Sequence, residues 1–196
     1  MLFTMLLKKS LPYRIKLYQS NHPMIAESLK NIGFTYCQLS DVSEGLKYFE
    51  LALKIEQQLY QGNHRKVALS LHNIGFTYYK LGNISKGIKY FEDALKMYKA
   101  LYQINHPYIA TSLDNISVIY QDLGDANKVV ELKKQAYLIF IRSLSLDHLV
   151  TKLIKSYLEK ASPEFIKNNE TREFILQRGD FEEVTLEVKQ RIQKKF

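Results

Sequence analysis

Cysteine, proline and glycine are scarce in this chain, and each shortage narrows what it can be. Its 196 residues include one cysteine, Cys37, four prolines and eight glycines. A lone cysteine excludes an internal disulfide framework and fits a reducing compartment, so the expected location is cytoplasmic. Few prolines and glycines favour long helices over a turn-rich β fold. No apolar run nears the ~20 residues needed to span a bilayer. The opening segment MLFTMLLKKS holds an apolar run of about seven residues, at the lower limit for a signal-peptide core, and its lysines follow the run instead of preceding it. The other reading of this segment is a capping helix end that packs on the first structural unit.

Concentrated charge of one sign is missing as well. The net charge of +8 divides into +4 over residues 1–17, +3 over residues 18–143 and +1 over residues 144–196. The central stretch has 14 bases against 11 acids and no arginine cluster, so nucleic acid is not an expected partner. There is no Gly-rich phosphate loop, HExxH, CxxC or GxSxG, so no enzymatic activity and no cofactor are expected. A chain of this length, 46% hydrophobic and 24% charged, has the balance of one globular domain with a sizeable core.

What is present is a repeat. YQSNHP begins at Tyr18, YQGNHR at Tyr60 and YQINHP at Tyr102, a spacing of 42 residues both times. The first two units agree at 24 of 42 positions. LSLDHL at Leu144 continues the register into a degenerate fourth unit. Each unit reads as two helices. Pro23 and Pro107 suit the first helical position, where a missing N–H is harmless. Ile25, Leu29, Ile32, Gly33 and Tyr36 then share one face at helical spacing, as do Val67, Leu71, Ile74, Gly75 and Tyr78, and Ile109, Leu113, Ile116, Ser117 and Tyr120. Asp41, Asn83 and Asp125 are N-caps for the second helices, and Asp41 with Glu44 fits a capping box. Those helices offer Leu46, Phe49, Ala52 and Leu53, then Ile88, Phe91, Ala94 and Leu95. A glycine inside a helix costs about 1 kcal/mol against alanine. Its recurrence at Gly33, Gly45, Gly75 and Gly87 predicts a close approach of the paired helices. The third unit departs, with Val129 in place of the second-helix glycine and Lys133 in place of the phenylalanine, as an array end tolerates.

These residues resemble the tetratricopeptide repeat. Leu29-Lys30-Asn31-Ile32-Gly33, Tyr36, Phe49 and Ala52 are similar to its large–small–aromatic–small pattern. The 42-residue length and the Asn-His-Pro junction resemble the longer repeats of kinesin light chains and of nephrocystin-like and many bacterial proteins. The resemblance implies an all-α fold, an α-solenoid of helical hairpins in a right-handed superhelix with C-terminal capping helices. Three repeats are expected at 18–59, 60–101 and 102–143. Residues 1–17 form a partial repeat or capping helix in which Pro12 would kink or end the helix, and 144–196 a degenerate fourth repeat and terminal helices. Leu149, Leu153 and Ile154 are expected to pack in a capping helix. Ser162-Pro163-Glu164 reads as a helix start. Asp180 with Glu183 opens a last helix whose face holds Phe181, Val184, Val188 and Ile192, as a cap, a docking surface or a self-association surface.

His22, His64, His106 and His148 recur at the same spacing, one repeat apart, so they cannot converge on one metal. The expected role is an imidazole bonded to backbone at each inter-repeat turn, with no metal site. Cys37 has no histidine or second cysteine near it in sequence, which argues against a nucleophile.

The resemblance further implies that the first helices line a concave groove in which asparagines bond the main chain of a bound peptide. Asn31, Asn73 and Asn115 match that pattern. A carboxamide both donates and accepts, so it bridges a peptide unit whatever its side chain. Lys30, Phe34, His72, Phe76, Tyr79 and Lys80 fall on the same face and complete the expected peptide-binding surface. The alternative use of the asparagines is bonding within the hairpin. The expected function is a protein-interaction module, a scaffold or adaptor that binds a peptide or extended partner segment. The alternatives are a regulatory or targeting fragment of a larger signalling protein, and a structural protein that self-associates through unsealed repeat ends.

Overall fold

The computed structural model describes residues 9, 12–14, 16–17, 21–102 and 105–168. Every regular element among them is α-helical. The chain forms two compact units, residues 1–145 and 146–196.

From Pro23 on, the described residues of the first unit form α1 (Pro23–Gln38), α2 (Val42–Leu59), α3 (Arg65–Lys80), α4 (Ile84–Leu101), α5 (Pro107–Asp122) and α6 (Ala126–Ser143). They pair as hairpins α1/α2, α3/α4 and α5/α6, and α2 packs on α3 as α4 packs on α5. The local signals act as their chemistry requires. Asp41, Asn83 and Asp125 accept from the backbone N–H of Glu44, Lys86 and Lys128. The reciprocal half of the Asp41 box is replaced, because the Glu44 carboxylate goes to Lys47 at 2.7 Å. The first helices end in a left-handed residue: Ser40, Gly82 and Gly124, with φ of 66°, 77° and 76°.

Burial follows the repeat. Ala26, Ala68 and Ala110, Ile32, Ile74 and Ile116, and Ala52, Ala94 and Ala136 all lie in the core. Phe49 and Phe91 fill the hairpin seams, while Tyr36, Tyr78 and Tyr120 are half-buried at its edge. The glycines mark the predicted close approach. A Cβ on Gly33 would stand 3.0 Å from the Gly45 carbonyl oxygen, and one on Gly75 would stand 3.1 Å from that of Gly87. In the third hairpin the buried residues at these places are Ser117 and Val129.

In the second unit, α7 (Leu149–Ala161) follows His148, and residues 163–168 are again helical, as Ser162-Pro163-Glu164 predicts. Leu149 and Leu153 correct the expectation of a packed face, being 69% and 62% exposed. The buried residues are Thr151, Ile154 and Leu158. Thr151 and Leu158 stand one repeat beyond Ile109 and Ile116, so the register persists where the residue types have changed. Phe181, Val184, Val188, Ile192 and the capping box at Asp180 lie outside the described residues, as does most of the 1–17 segment.

Candidate functional site

The exposed face of the first helices forms a grid. Along each helix, residues at spacing i, i+4, i+7 and i+11 share that face. They are Glu27, Asn31, Phe34 and Gln38 on α1, Leu69, Asn73, Phe76 and Lys80 on α3, and Thr111, Asn115, Val118 and Asp122 on α5. One row across the grid is apolar and open, with Phe34 46%, Phe76 47% and Val118 39% exposed. The adjacent row is the three asparagines. Lys80 lies over the Phe76 ring at 5.4 Å and the Tyr79 ring at 6.0 Å. Phe34 meets Phe49 edge-on at 4.9 Å, so the exposed ring is anchored to the seam.

Three side-chain bonds tie α3 to α5, each joining residues one repeat plus one position apart. The Arg65 guanidinium donates to the Tyr108 hydroxyl at 2.9 Å. The Tyr79 hydroxyl donates to the Asp122 carboxylate. The Asn115 amide lies 3.0 Å from His72 Nε2. His72 is held edge-on to Phe91 at 4.9 Å, and burial pushes its imidazole down to about 4. The ring is therefore neutral at pH 7 and its Nε2 is free to accept the Asn115 N–H. Hydrogen bonding to Asp122, then burial, pushes the Tyr79 phenol up.

The joint between the first and second hairpins is held differently. Lys30, expected as a groove lysine, is 4% exposed, and this corrects the expectation. Its ammonium lies 3.2 Å from Glu27 and 3.0 Å from Glu56. Glu56 is 1% exposed and also accepts from the Ser70 hydroxyl at 2.6 Å. The stem of Lys30 thus runs inward and its charge is committed. The corresponding set one repeat on is His72, Tyr98 and Ser112.

This substitution explains an orphan. Asn73 stands to Lys30 as Asn115 stands to His72. A lysine has no acceptor and this one is drawn to Glu56, so Asn73 has no equivalent of the imidazole nitrogen. Its Nδ2 is buried and finds no hydrogen-bond partner among the described residues. Asn31 is exposed, Asn73 lacks an acceptor, and Asn115 is bonded within the array. The three ladder positions are alike in sequence and unlike in state.

Sequence reasoning missed two pairs beside this face. Glu56 as the partner of Lys30 leaves no short-range signal. Lys133, 2.8 Å from Asp114, does leave one: against the second repeat, Phe91 and His72 are both replaced at once. The histidines behave as expected. Nδ1 of His22, His64, His106 and His148 accepts from the backbone N–H of Met24, Lys66, Tyr108 and Val150. Cys37 is half-buried, and burial pushes its thiol up, which does not favour a nucleophile. Among the described residues no cluster of His, Cys, Asp and Glu could hold a metal ion, and no helix is long and apolar enough to cross a membrane.

A family model for the tetratricopeptide repeat matches residues 24–100 and 67–141. No curated protein matches the chain. Among solved structures, it is similar to a putative kinesin light chain of Podosopora anserina with nearly identical TPR-like repeats, 21% identical with a TM-score of 0.67, over 89% of this chain and 82% of that one. It is also similar to BtubC (BKLC) from P. vanneervenii, 18% identical with a TM-score of 0.71, over 89% and 72%. A third likeness is to aspartyl phosphate phosphatase F from Bacillus subtilis, 15% identical with a TM-score of 0.64, over 96% of this chain and 54% of that one. At these identities the likeness is one of fold. The chain belongs to the tetratricopeptide repeat family, with repeats folded as in kinesin light chains, and its architecture is that of a protein-interaction module.

Proposed function

We propose that this chain is a scaffold or adaptor that holds an extended peptide segment of a partner protein on the exposed face of its first helices. The observation that carries the reading is the Asn73 amide, whose nitrogen has no acceptor among the described residues and which shares its helix face with the exposed Phe76. An unsatisfied buried donor costs about 1–3 kcal/mol, so rotating this amide onto a peptide carbonyl recovers free energy that no internal contact supplies. Asn31 and Asn73 bridge the peptide main chain, and Phe34 and Phe76 take its apolar side chains.

The third hairpin contributes less. Asn115 is engaged by His72, Asp122 by Tyr79 and Asp114 by Lys133. A peptide must break these bonds to use those groups, leaving Val118 as the accessible contact there. Binding is therefore centred on the first two repeats. Lys30 is neutralised by Glu56, so Lys80 is the cation this face offers, between Glu27 and Asp122. That pattern favours a ligand of mixed charge over a strongly acidic one.

Selection from a random peptide display library, followed by calorimetric titration, tests the reading. Binders in the micromolar range are expected, since a short peptide must be ordered on binding. Asn73→Ala should weaken them by about 1–2 kcal/mol, and Asn115→Ala by less. Unaltered affinity after Asn31, Asn73 and Asn115 are all changed to Ala places the site elsewhere.

A further inference from the structure

Four first helices begin in the same unusual way. The N-cap is a histidine, and its ring nitrogen, not a hydroxyl or carboxylate oxygen, accepts the orphan backbone N–H two residues on. The Nδ1 distances are 3.1 Å for His22, 3.2 Å for His64 and His106, and 3.3 Å for His148. The backbone at each cap is extended, as an N-cap requires. Two of the rings are fixed further by stacking at 3.7 Å, His64 on Tyr60 and His106 on Tyr102.

We propose that these histidine caps make the repeat array acid-sensitive, so that protonation of the imidazoles releases the first turn of each first helix. An imidazolium carries a proton on Nδ1 and has no lone pair there, so it cannot accept from the backbone. It also places a positive charge at a helix N-terminus, where the macrodipole repels it. Oxygen caps, such as Asn83 on α4, do not titrate in this range.

Cationic side chains stand beside the aromatic neighbours of two of the rings. His64 faces Tyr60, with the Lys66 ammonium 5.8 Å above that ring. His106 faces Tyr102 and Tyr108, and Arg65 sits on the Tyr108 hydroxyl. Burial lowers the pKa of the His106 imidazole. Glu27, five residues after His22, is paired with Lys30 at 3.2 Å. His148 is preceded by Asp147, an exposed carboxylate paired with Lys152 at 3.1 Å.

The direction follows. A histidine held unprotonated in the folded state contributes stability that is fully present above its unfolded pKa, about 6.5, and is lost as pH falls below it. At pH 5 an imidazole with the reference pKa of about 6.5 is neutral about one time in 30, which bounds the weakening of an imidazole cap at about 30-fold.

The test compares the natural chain with one carrying His22→Asn, His64→Asn, His106→Asn and His148→Asn, since asparagine caps a helix without titrating. Urea unfolding and amide exchange are followed at pH 7.5, 6.0 and 5.0. In the natural chain the unfolding midpoint should fall. Exchange at the Met24, Lys66, Tyr108 and Val150 amides, corrected for its intrinsic pH dependence, should rise up to about 30-fold. The asparagine chain should lose much less. His72 is common to both, so its own titration cancels in the comparison. An equal loss in both chains, or none in either, overturns the proposal. Should the fourfold variant not fold, His106→Asn alone must make exchange at the Tyr108 amide insensitive to acid; an undiminished response there is equally fatal.

Discussion

Lys133 occupies the place that Phe49 and Phe91 hold in the first two hairpins, and its ammonium lies 2.8 Å from the Asp114 carboxylate, where the second hairpin sets His72 edge-on to Phe91. The two positions have changed together, from an imidazole on a phenyl ring to a carboxylate on an ammonium. Each arrangement fills the same seam and satisfies its own polar atoms.

Lys133→Ala should therefore destabilise the chain by about 1–3 kcal/mol, because it leaves the Asp114 carboxylate partly desolvated with the Ser117 hydroxyl 3.5 Å away. The double change Asp114→His with Lys133→Phe should recover most of that loss, since it rebuilds the neighbouring seam in a place of the same shape. Urea unfolding of the two single variants and the double variant measures the coupling. A double variant as unstable as the sum of the singles would show that the seams are not equivalent.

The Lys30–Glu56–Ser70 set makes a stronger case. Glu56 is 1% exposed, so Lys30→Ala strands a buried carboxylate and should cost about 3–5 kcal/mol. Lys30→His combined with Glu56→Tyr, the residues one repeat on, should be much closer to the natural chain. Equal melting of Lys30→Ala and the natural chain would refute the buried pair.

At the hairpin turns, Ser40 has a φ of 66° where the next two repeats use Gly82 and Gly124. A side chain in the left-handed region costs about 1–2 kcal/mol, offset in part by the smaller entropy a serine loses on folding. Ser40→Gly should stabilise the chain by about 0.5–1 kcal/mol, and Gly82→Ala should destabilise it by about 1 kcal/mol. A higher unfolding midpoint for Ser40→Gly, with unchanged slope, is the expected reading.

His72 sets a second pH response, separate from the caps. Its folded pKa of about 4 lies below the unfolded 6.5, so its contribution is complete above pH 6.5 and declines as pH falls toward 4. The imidazole signals should titrate near 4 by NMR, and His72→Gln should flatten that part of the stability curve. Titration near 6.5 would mean that the ring is not buried against Phe91.

Much of this was readable from spacing. The caps at His22, His64 and His106, the seam residues Phe49 and Phe91, and the meeting of Gly33 with Gly45 all follow from one period and from backbone needs that do not depend on neighbours. The candidate face was readable only as positions. Asn31, Asn73 and Asn115 align perfectly, yet the states of the last two diverge because of what stands one repeat and one residue before each: Lys30 before Asn73, His72 before Asn115. Lys30 itself falls on the rim of the exposed face by helical spacing. Its inward course depends on Glu56 in the next helix and Ser70 in the next hairpin, which no single-helix pattern encodes. Leu149 and Leu153 misled in the opposite way, since hydrophobicity pointed to them while the register pointed to Thr151 and Leu158.

The bonds spanning one repeat plus one residue also bear on how such an array can lengthen by gene duplication. Copying the second hairpin behind itself would keep an asparagine for His72, but it would set Arg65 against a second Lys66 and Tyr79 against a second Lys80. Copying the first hairpin meets no such conflict: Glu56 would find a second Ser28 where Ser70 now stands, and Lys30 would remain with its own carboxylate. New units can be accepted ahead of the second hairpin, whereas the pairing of the second with the third is specific to those two and resists insertion.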